Sequence, residues 1–318
     1  MKELKNLKPL NNKNLLVVMP IKSIEDELLN ESLYALSNQT QEFDLLLLAS
    51  DELSDSDIKR IGEIADEPFN RVVTQDEEGK AKSEIVKSEN KLNYAIEKVS
   101  ADSFIKVFNS SFNIANEAGY TWFSIIEKED LVEEKWVEYF NIYSSELNHV
   151  SIFLPLTRQV SGGGMIGHIN EAPWLEGKAE VAGQSDLQML MAWNCLNPTG
   201  CMYKVADLKE YSEEKEGKYY PLKENLNISA SYEFFLRMVY EDLKTYTIPR
   251  NGYQMRMENS SGVIDKFSSK IPSNITSLPS DKGGMSNHEV GFWMEQAKTE
   301  YFMPEDREII YEAPEQQG

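Results

Sequence analysis

The chain has 318 residues, 41% of them hydrophobic, which suits a folded protein with one large core or two modest ones and excludes a disordered polymer. Its formal net charge of −21 surrounds it with a negative field that repels phosphate backbones and anionic membranes, so nucleic-acid binding is excluded as the main role. An anionic substrate stays compatible with that field, because a divalent cation inverts its sign inside one pocket.

The first element is the continuous apolar run Leu15-Leu16-Val17-Val18-Met19-Pro20, the pattern of a strand covered on both faces in a largely parallel sheet. Lys2, Lys5 and Lys8 precede it, as in a secretory leader, but the run is too short and has no small-residue cleavage site. No stretch reaches the roughly 18 apolar residues of a membrane span, so a cytoplasmic location, or one inside a particle assembled there, is the expectation. Ser23, with Asp26 three residues on, is placed to cap a helix whose apolar face is Ile24, Leu28, Leu29, Leu33 and Leu36. Residues 43–49 form a second buried strand, and the polar turn 50–55 follows, completing a βαβ unit.

The pattern then repeats less cleanly. Residues 58–64 read as helix and 71–73 as a short strand, while Ile85, Leu92, Ile96 and Val99 read as one face of a longer helix after the charged loop 76–82. Residues 104–108 read as strand, 114–118 as a short helix, and 121–126 as a strand that stops at an acid cluster. Trp136, Tyr139, Phe140 and Tyr143 fall at i, i+3, i+4 and i+7, so an aromatic-faced helix comes next. This alternation predicts an α/β fold with a doubly wound, mainly parallel sheet and helices on both faces.

After a strand over 150–155 the regularity fades into an irregular C-terminal region. Ser161-Gly162-Gly163-Gly164 is a flexible loop without the Gly-Lys-Ser/Thr ending of a phosphate-binding loop. Residues 186–194 and 232–240 read as helices, and 245–248 as an edge strand ended by Pro249. Cys195 and Cys201 have no zinc-site spacing and are expected as buried thiols. The tract 259–286, rich in Ser, Gly and Pro, reads as a loop or lid, and 288–301 as an amphipathic helix before a short strand near Ile309 and a polar tail.

In a doubly wound sheet, ligands bind outside the carboxyl ends of the strands. Three polar sets fall there: Pro20-Ile21-Lys22, Asp51-Glu52 and Glu127-Lys128-Glu129-Asp130. Acids after a strand are also ordinary solvated turn residues, so their coincidence matters more than any single set.

The segment 15–55, with Leu36-Ser37-Asn38-Gln39-Thr40 before the second strand, resembles the opening of the family-2 glycosyltransferases of GT-A fold. Asn113 to Tyr120 is similar to the helix ahead of that family's metal-binding strand, and Glu127-Lys128-Glu129-Asp130 falls where the family has its Asp-x-Asp motif. Asn197-Pro198-Thr199-Gly200-Cys201-Met202-Tyr203 and Tyr232-Glu233-Phe234-Phe235-Leu236-Arg237 resemble the acceptor-side segment and the segment with the catalytic base. The resemblance runs from about residue 15 to 257.

It implies a GT-A-like fold divided into a nucleotide-sugar-binding half (1–150), an acceptor-side half (151–258) and a lid with C-terminal helix (259–318). Departing phosphates need a cation, so the resemblance implies Mg²⁺ or Mn²⁺ on Glu127, Glu129 and Asp130. Glu233 would take the acceptor's proton in an inverting transfer of one sugar to a soluble acceptor. Pro20, Asp51, Glu52 and Arg237 would contact the nucleotide sugar. Arg237 alternatively orients Glu233 or forms a plain ion pair, and His288 is either a further metal ligand or an exposed histidine at a helix start.

The sequence departs from the family's pattern. It has Ile21-Lys22 where an Asn is usual, Asp51-Glu52-Leu53-Ser54 in place of Asp-Asp-Gly-Ser, and Glu for Asp at two motif positions. Gln254-Met255-Arg256-Met257 lacks the tryptophan of processive synthases. A catalytically degenerate relative, kept as a binding or structural component of a larger assembly such as a viral particle, is the alternative reading.

Overall fold

The computed structural model describes residues 14–257, apart from 76–80, 101–102, 162–163, 176–178, 180, 193–194, 225 and 227–229. The expected lid, the helix at 288–301, His288 and the strand near Ile309 lie outside the described residues.

Strand β1 (Leu15–Ile21) leads through helix α1 (Asp26–Ser37) to β2 (Asp44–Ser50). Every residue of both strands is buried, as a continuous apolar run requires when helices cover both faces of a sheet. Helix α2 (Asp55–Asp66) begins at a capping box in which the Ser54 hydroxyl accepts from the Asp57 N–H and Asp57 accepts from the Ser54 N–H. A hairpin of β3 (Phe69–Gln75) and β4 (Ala81–Lys87) forms its own small sheet, and β5 (Tyr94–Val99) returns to pair with β2.

Helix α3 (Phe104–Ala118) precedes β6 (Trp122–Ile125), the short β7 (Leu131–Val132) and helix α4 (Trp136–Glu146). Then come β8 (Val150–Ser161), β9 (Gly164–Ile169), α5 (Ala172–Leu175) and α6 (Leu187–Ala192). The chain continues with β10 (Met202–Lys204), α7 (Val205–Glu210), the small hairpin β11 (Glu213–Lys215) and β12 (Lys218–Tyr220), α8 (Ala230–Tyr240) and β13 (Lys244–Arg256).

The main sheet has nine strands in the order β5-β2-β1-β6-β10-β8-β13-β7, with β9 paired to β8. It is mixed but mainly parallel: β5, β2, β1 and β6 run together, β10 opposes its neighbours, and β8 and β13 again run with β6. Side-chain alternation splits the interior into two cores. Leu16, Val18, Leu46 and Leu48 pack beside residues of α3 and α8, while Val17, Met19, Leu45 and Leu47 pack beside residues of α1, α2 and α4. Among the described residues no helix is long and apolar enough to cross a membrane.

Several sequence expectations are corrected. Residues 104–108 are helix, not strand, and join 114–118 in one helix of 15 residues. Ser103 caps its start by accepting from the Lys106 N–H, and Gly119 ends it at a φ of 78°. The helix expected through Ile85, Leu92, Ile96 and Val99 is two strands, β4 and β5, because the polar stretch between Lys87 and Tyr94 breaks it. The strand over 245–248 does not end at Pro249: β13 passes it through a register shift between Ile248 and Asn251 and runs on to Arg256, where β7 pairs with Tyr253 and Gln254. Ser23 does not cap α1, whose N-cap is Glu25 without a side-chain bond.

The core on the α3 face centres on Phe108, whose ring meets Phe104, Phe123, Tyr203 and Phe234 edge-on at centroid distances from 4.9 to 5.8 Å. Phe108→Ala removes a fully buried ring from four neighbours and is expected to cost about 3–5 kcal/mol in urea unfolding. A loss below about 1 kcal/mol would show that this core collapses around the deletion.

Candidate functional site at the carboxyl ends of the sheet

The chain passes from β1 out to β2 and β5, then returns over α3 to β6 on the other side of β1. Strand order therefore reverses between β1 and β6, which opens a crevice outside their carboxyl ends. The turn from β1 into α1 and the turn after β6 border this crevice. The Asp51-Glu52 turn stands beside it at the end of β2, and α8 doubles back into β13 through a tight turn. Topology thus brings the predicted sets to one edge of the sheet.

Residues Glu127 to Asp130 form a turn closed by the Asp130 N–H donating to the Glu127 carbonyl at 3.1 Å. All four are buried, and three contacts hold the turn. The Tyr253 hydroxyl accepts from the Glu127 N–H at 3.1 Å and donates to Asp130 Oδ2 at 3.0 Å. The Arg256 N–H donates to Asp130 Oδ1 at 2.9 Å. The Ser32 hydroxyl, on α1, lies 2.5 Å from the Lys128 carbonyl and 2.6 Å from that of Asp130, sharing its single proton between them. Burial first, and then the Asp130 carboxylate, push the Tyr253 hydroxyl far above its ordinary pKa, so it remains a donor.

Tyr253 also explains the glycine of Asn197-Pro198-Thr199-Gly200. Gly200 has a φ of 71°, and a Cβ there would stand 2.6 Å from the Tyr253 ring. Its N–H donates to the Ile125 carbonyl at 2.8 Å, and its own carbonyl accepts from the Trp136 indole at 3.2 Å. The segment expected on the acceptor side is therefore clasped to the tip of β6. Cys195 and Cys201 are buried thiols as expected, and burial raises the Cys201 pKa far above the ordinary thiol range.

The remaining predicted residues are less gathered. Pro20 is a buried residue of β1 in register with Leu48, with its ring inside the sheet. Asp51 and Glu52 are exposed; the Asp51 N–H donates to the Val99 carbonyl at 3.0 Å, tying their turn to β5. Glu233 is fully buried and paired one helical turn away with Arg237, Nε to Oε1 at 3.0 Å and Nη2 to Oε2 at 3.4 Å, with Lys223 Nζ 3.6 Å from Oε1. Arg237 also donates to the carbonyls of Tyr211 and Pro221, so it orients Glu233 while fastening α8 to the 211–221 segment.

Of the three predicted metal ligands, Asp130 is engaged by the protein, while Glu127 Oε2 and Glu129 Oε1 are buried oxygens without a hydrogen-bond partner. Both carboxylate oxygens of Asp130 accept protein hydrogen bonds, and the buried Lys128 side chain sends its ammonium to Ser23 and Glu25. Among the described residues no three His, Cys, Asp or Glu side chains converge to hold a metal ion. Sequence reading missed Tyr253, Ser32 and Arg256 as parts of the site and gave Lys128 no role of its own within its set. The first two lie 123 and 98 residues from Asp130, and nothing in their local pattern points to it.

No known protein family matches the sequence, and no curated protein sequence matches it. Solved structures do. The chain is similar to residues 1–349 of S. aureus TarS, a glycosyltransferase, in complex with UDP, with 14% identity and a TM-score of 0.53, over 92% of this chain and 67% of that one. The corresponding complex with UDP-GlcNAc gives the same identity and TM-score, covering 92% of this chain and 68% of that one. The longer S. aureus TarS structure gives 13% and 0.51, and this chain's 91% spans 44% of it. The mixed, mainly parallel sheet with helices on both faces is therefore a fold that this chain shares with those structures.

Gly200→Ala is expected to destabilise the protein by at least about 2 kcal/mol, combining the left-handed backbone with the ring clash. Tyr253→Phe, which leaves the ring in place but removes the hydroxyl from Asp130 and Glu127, should cost about 1.5–3 kcal/mol. Both read out as shifts in a urea midpoint; an unchanged midpoint for Tyr253→Phe would mean that water replaces the hydroxyl.

Proposed function

We propose that the protein is a glycosyltransferase that transfers a single sugar, with inversion, from a nucleotide-sugar donor to a soluble acceptor. The observation that carries this reading is the crevice between β1 and β6 in a fold shared with structures that hold UDP and UDP-GlcNAc. The exposed Asp51-Glu52 turn stands at the rim where a nucleoside would lie. Glu233, at the first turn of α8, is the carboxylate that would take the acceptor's proton, and Arg237 and Lys223 hold it in place. The degenerate reading is favoured by Asp130, whose carboxylate is engaged by Tyr253 and Arg256 rather than presented to a ligand.

Calorimetry with UDP, GDP, TDP and CDP separates the two readings. Sub-millimolar binding of one of them, followed by sugar transfer from the matching nucleotide sugar, is the expected result; no binding by any would sink the enzyme reading. Glu233→Gln is expected to lower kcat by about 10²- to 10⁴-fold while leaving nucleotide affinity nearly unchanged. A fully active variant would remove Glu233 from the base's role and leave it as the ion-pair partner of Arg237.

A further inference from the structure

The middle of the acid turn carries a cation. Lys128 is fully buried in the turn that follows β6, at the carboxyl end of the strand beside which strand order reverses. Its ammonium offers three N–H donors. Those donors meet one hydrogen bond, to Ser23 Oγ at 3.2 Å, and one ion pair, to Glu25 Oε1 at 3.5 Å. Both partners belong to the turn between β1 and α1. Glu25 is 44% exposed, so this pair is weakly held from the solvent side. A buried ammonium with donor capacity to spare is costly unless a second anion completes its shell. Lys22 stands exposed on the same turn and adds a second positive charge to the rim of an otherwise acidic protein.

We propose that Lys128 is the resident cation of the donor site, and that its ammonium, rather than a divalent metal, takes the diphosphate of the nucleotide sugar. This rests on the reading of the crevice as a nucleotide-sugar site. In it, the β1–α1 turn opens, the ammonium exchanges Glu25 for phosphate oxygens, and the positive charge meets the negative charge that gathers on the departing diphosphate. It also accounts for the poor fit of a metal to Asp130, which is engaged in holding the turn that presents Lys128.

Titration of UDP into the full chain by calorimetry, once in excess EDTA and once with Mn²⁺, tests this. The expected result is equal affinity in both buffers, a loss of about 10- to 100-fold in Lys128→Met, and a gain of about two- to fivefold in Glu25→Gln, which frees the ammonium. Glu25→Gln changes a half-exposed side chain, so its result stands even if Lys128→Met fails to fold. Binding that requires Mn²⁺ overturns the proposal while leaving the donor-site reading intact. Unchanged affinity in folded Lys128→Met, or weakened affinity in Glu25→Gln, also overturns it and leaves Lys128 as a pin for the β1–α1 turn. If neither UDP nor the other three diphosphates bind in either buffer, the nucleotide-sugar reading itself falls and takes this one with it.

Discussion

The hydroxyl of Tyr253 fixes the turn that follows β6 at the carboxyl end of the sheet. It accepts from the backbone of Glu127 and donates to the carboxylate of Asp130, so one side chain of β13 fixes both ends of the turn after β6. Its ring presses against Gly200 and so fixes the 197–200 segment against the same strand tip. From the opposite side Ser32 reaches the turn's carbonyls, and Arg256 joins Glu31 of the same helix. Three separate parts of the chain therefore converge on four residues. A buried phenol kept protonated by its surroundings gives up neither bond under ordinary conditions.

This clasp changes the meaning of the acid cluster. The sequence offers Asp130 to a ligand, and here it accepts from the Tyr253 hydroxyl and the Arg256 N–H instead. The charge left facing the β1–α1 turn is that of Lys128. On α8 it is Arg237 that does the holding. Glu233 and Arg237 are spaced to pair within one helix, and the remaining donors of Arg237 satisfy carbonyls of the 211–221 segment. Asp130 and Arg237 are thus each held by a side-chain partner and by backbone, as burial requires.

The parts of the fold legible in the sequence are those where burial covers both faces or where local chemistry marks an end. β1 and β2 read directly, since runs of five or more apolar residues fit little else in so short a span. The aromatic spacing of α4 and the stop of β6 at the acids were legible for similar reasons. Short apolar runs were not. Residues 104–108 match a buried strand as well as a helical turn, and only the cap at Ser103, the Phe104, Phe108 and Phe112 spacing and the terminal Gly119 decide for helix. β13 was cut short at Pro249 because a proline ends most strands; a register shift, invisible locally, carries this one past it.

By itself the sequence determined the alternating strand and helix pattern, the placing of polar sets at strand ends, and the Glu233–Arg237 spacing, because each depends on residues within a few turns of one another. Only the tertiary structure decided which strands are neighbours, where their order reverses, and what the buried acids and Lys128 touch. Those outcomes depend on partners about a hundred residues away, and hydrogen-bond geometry between distant side chains leaves no periodicity for the sequence to display.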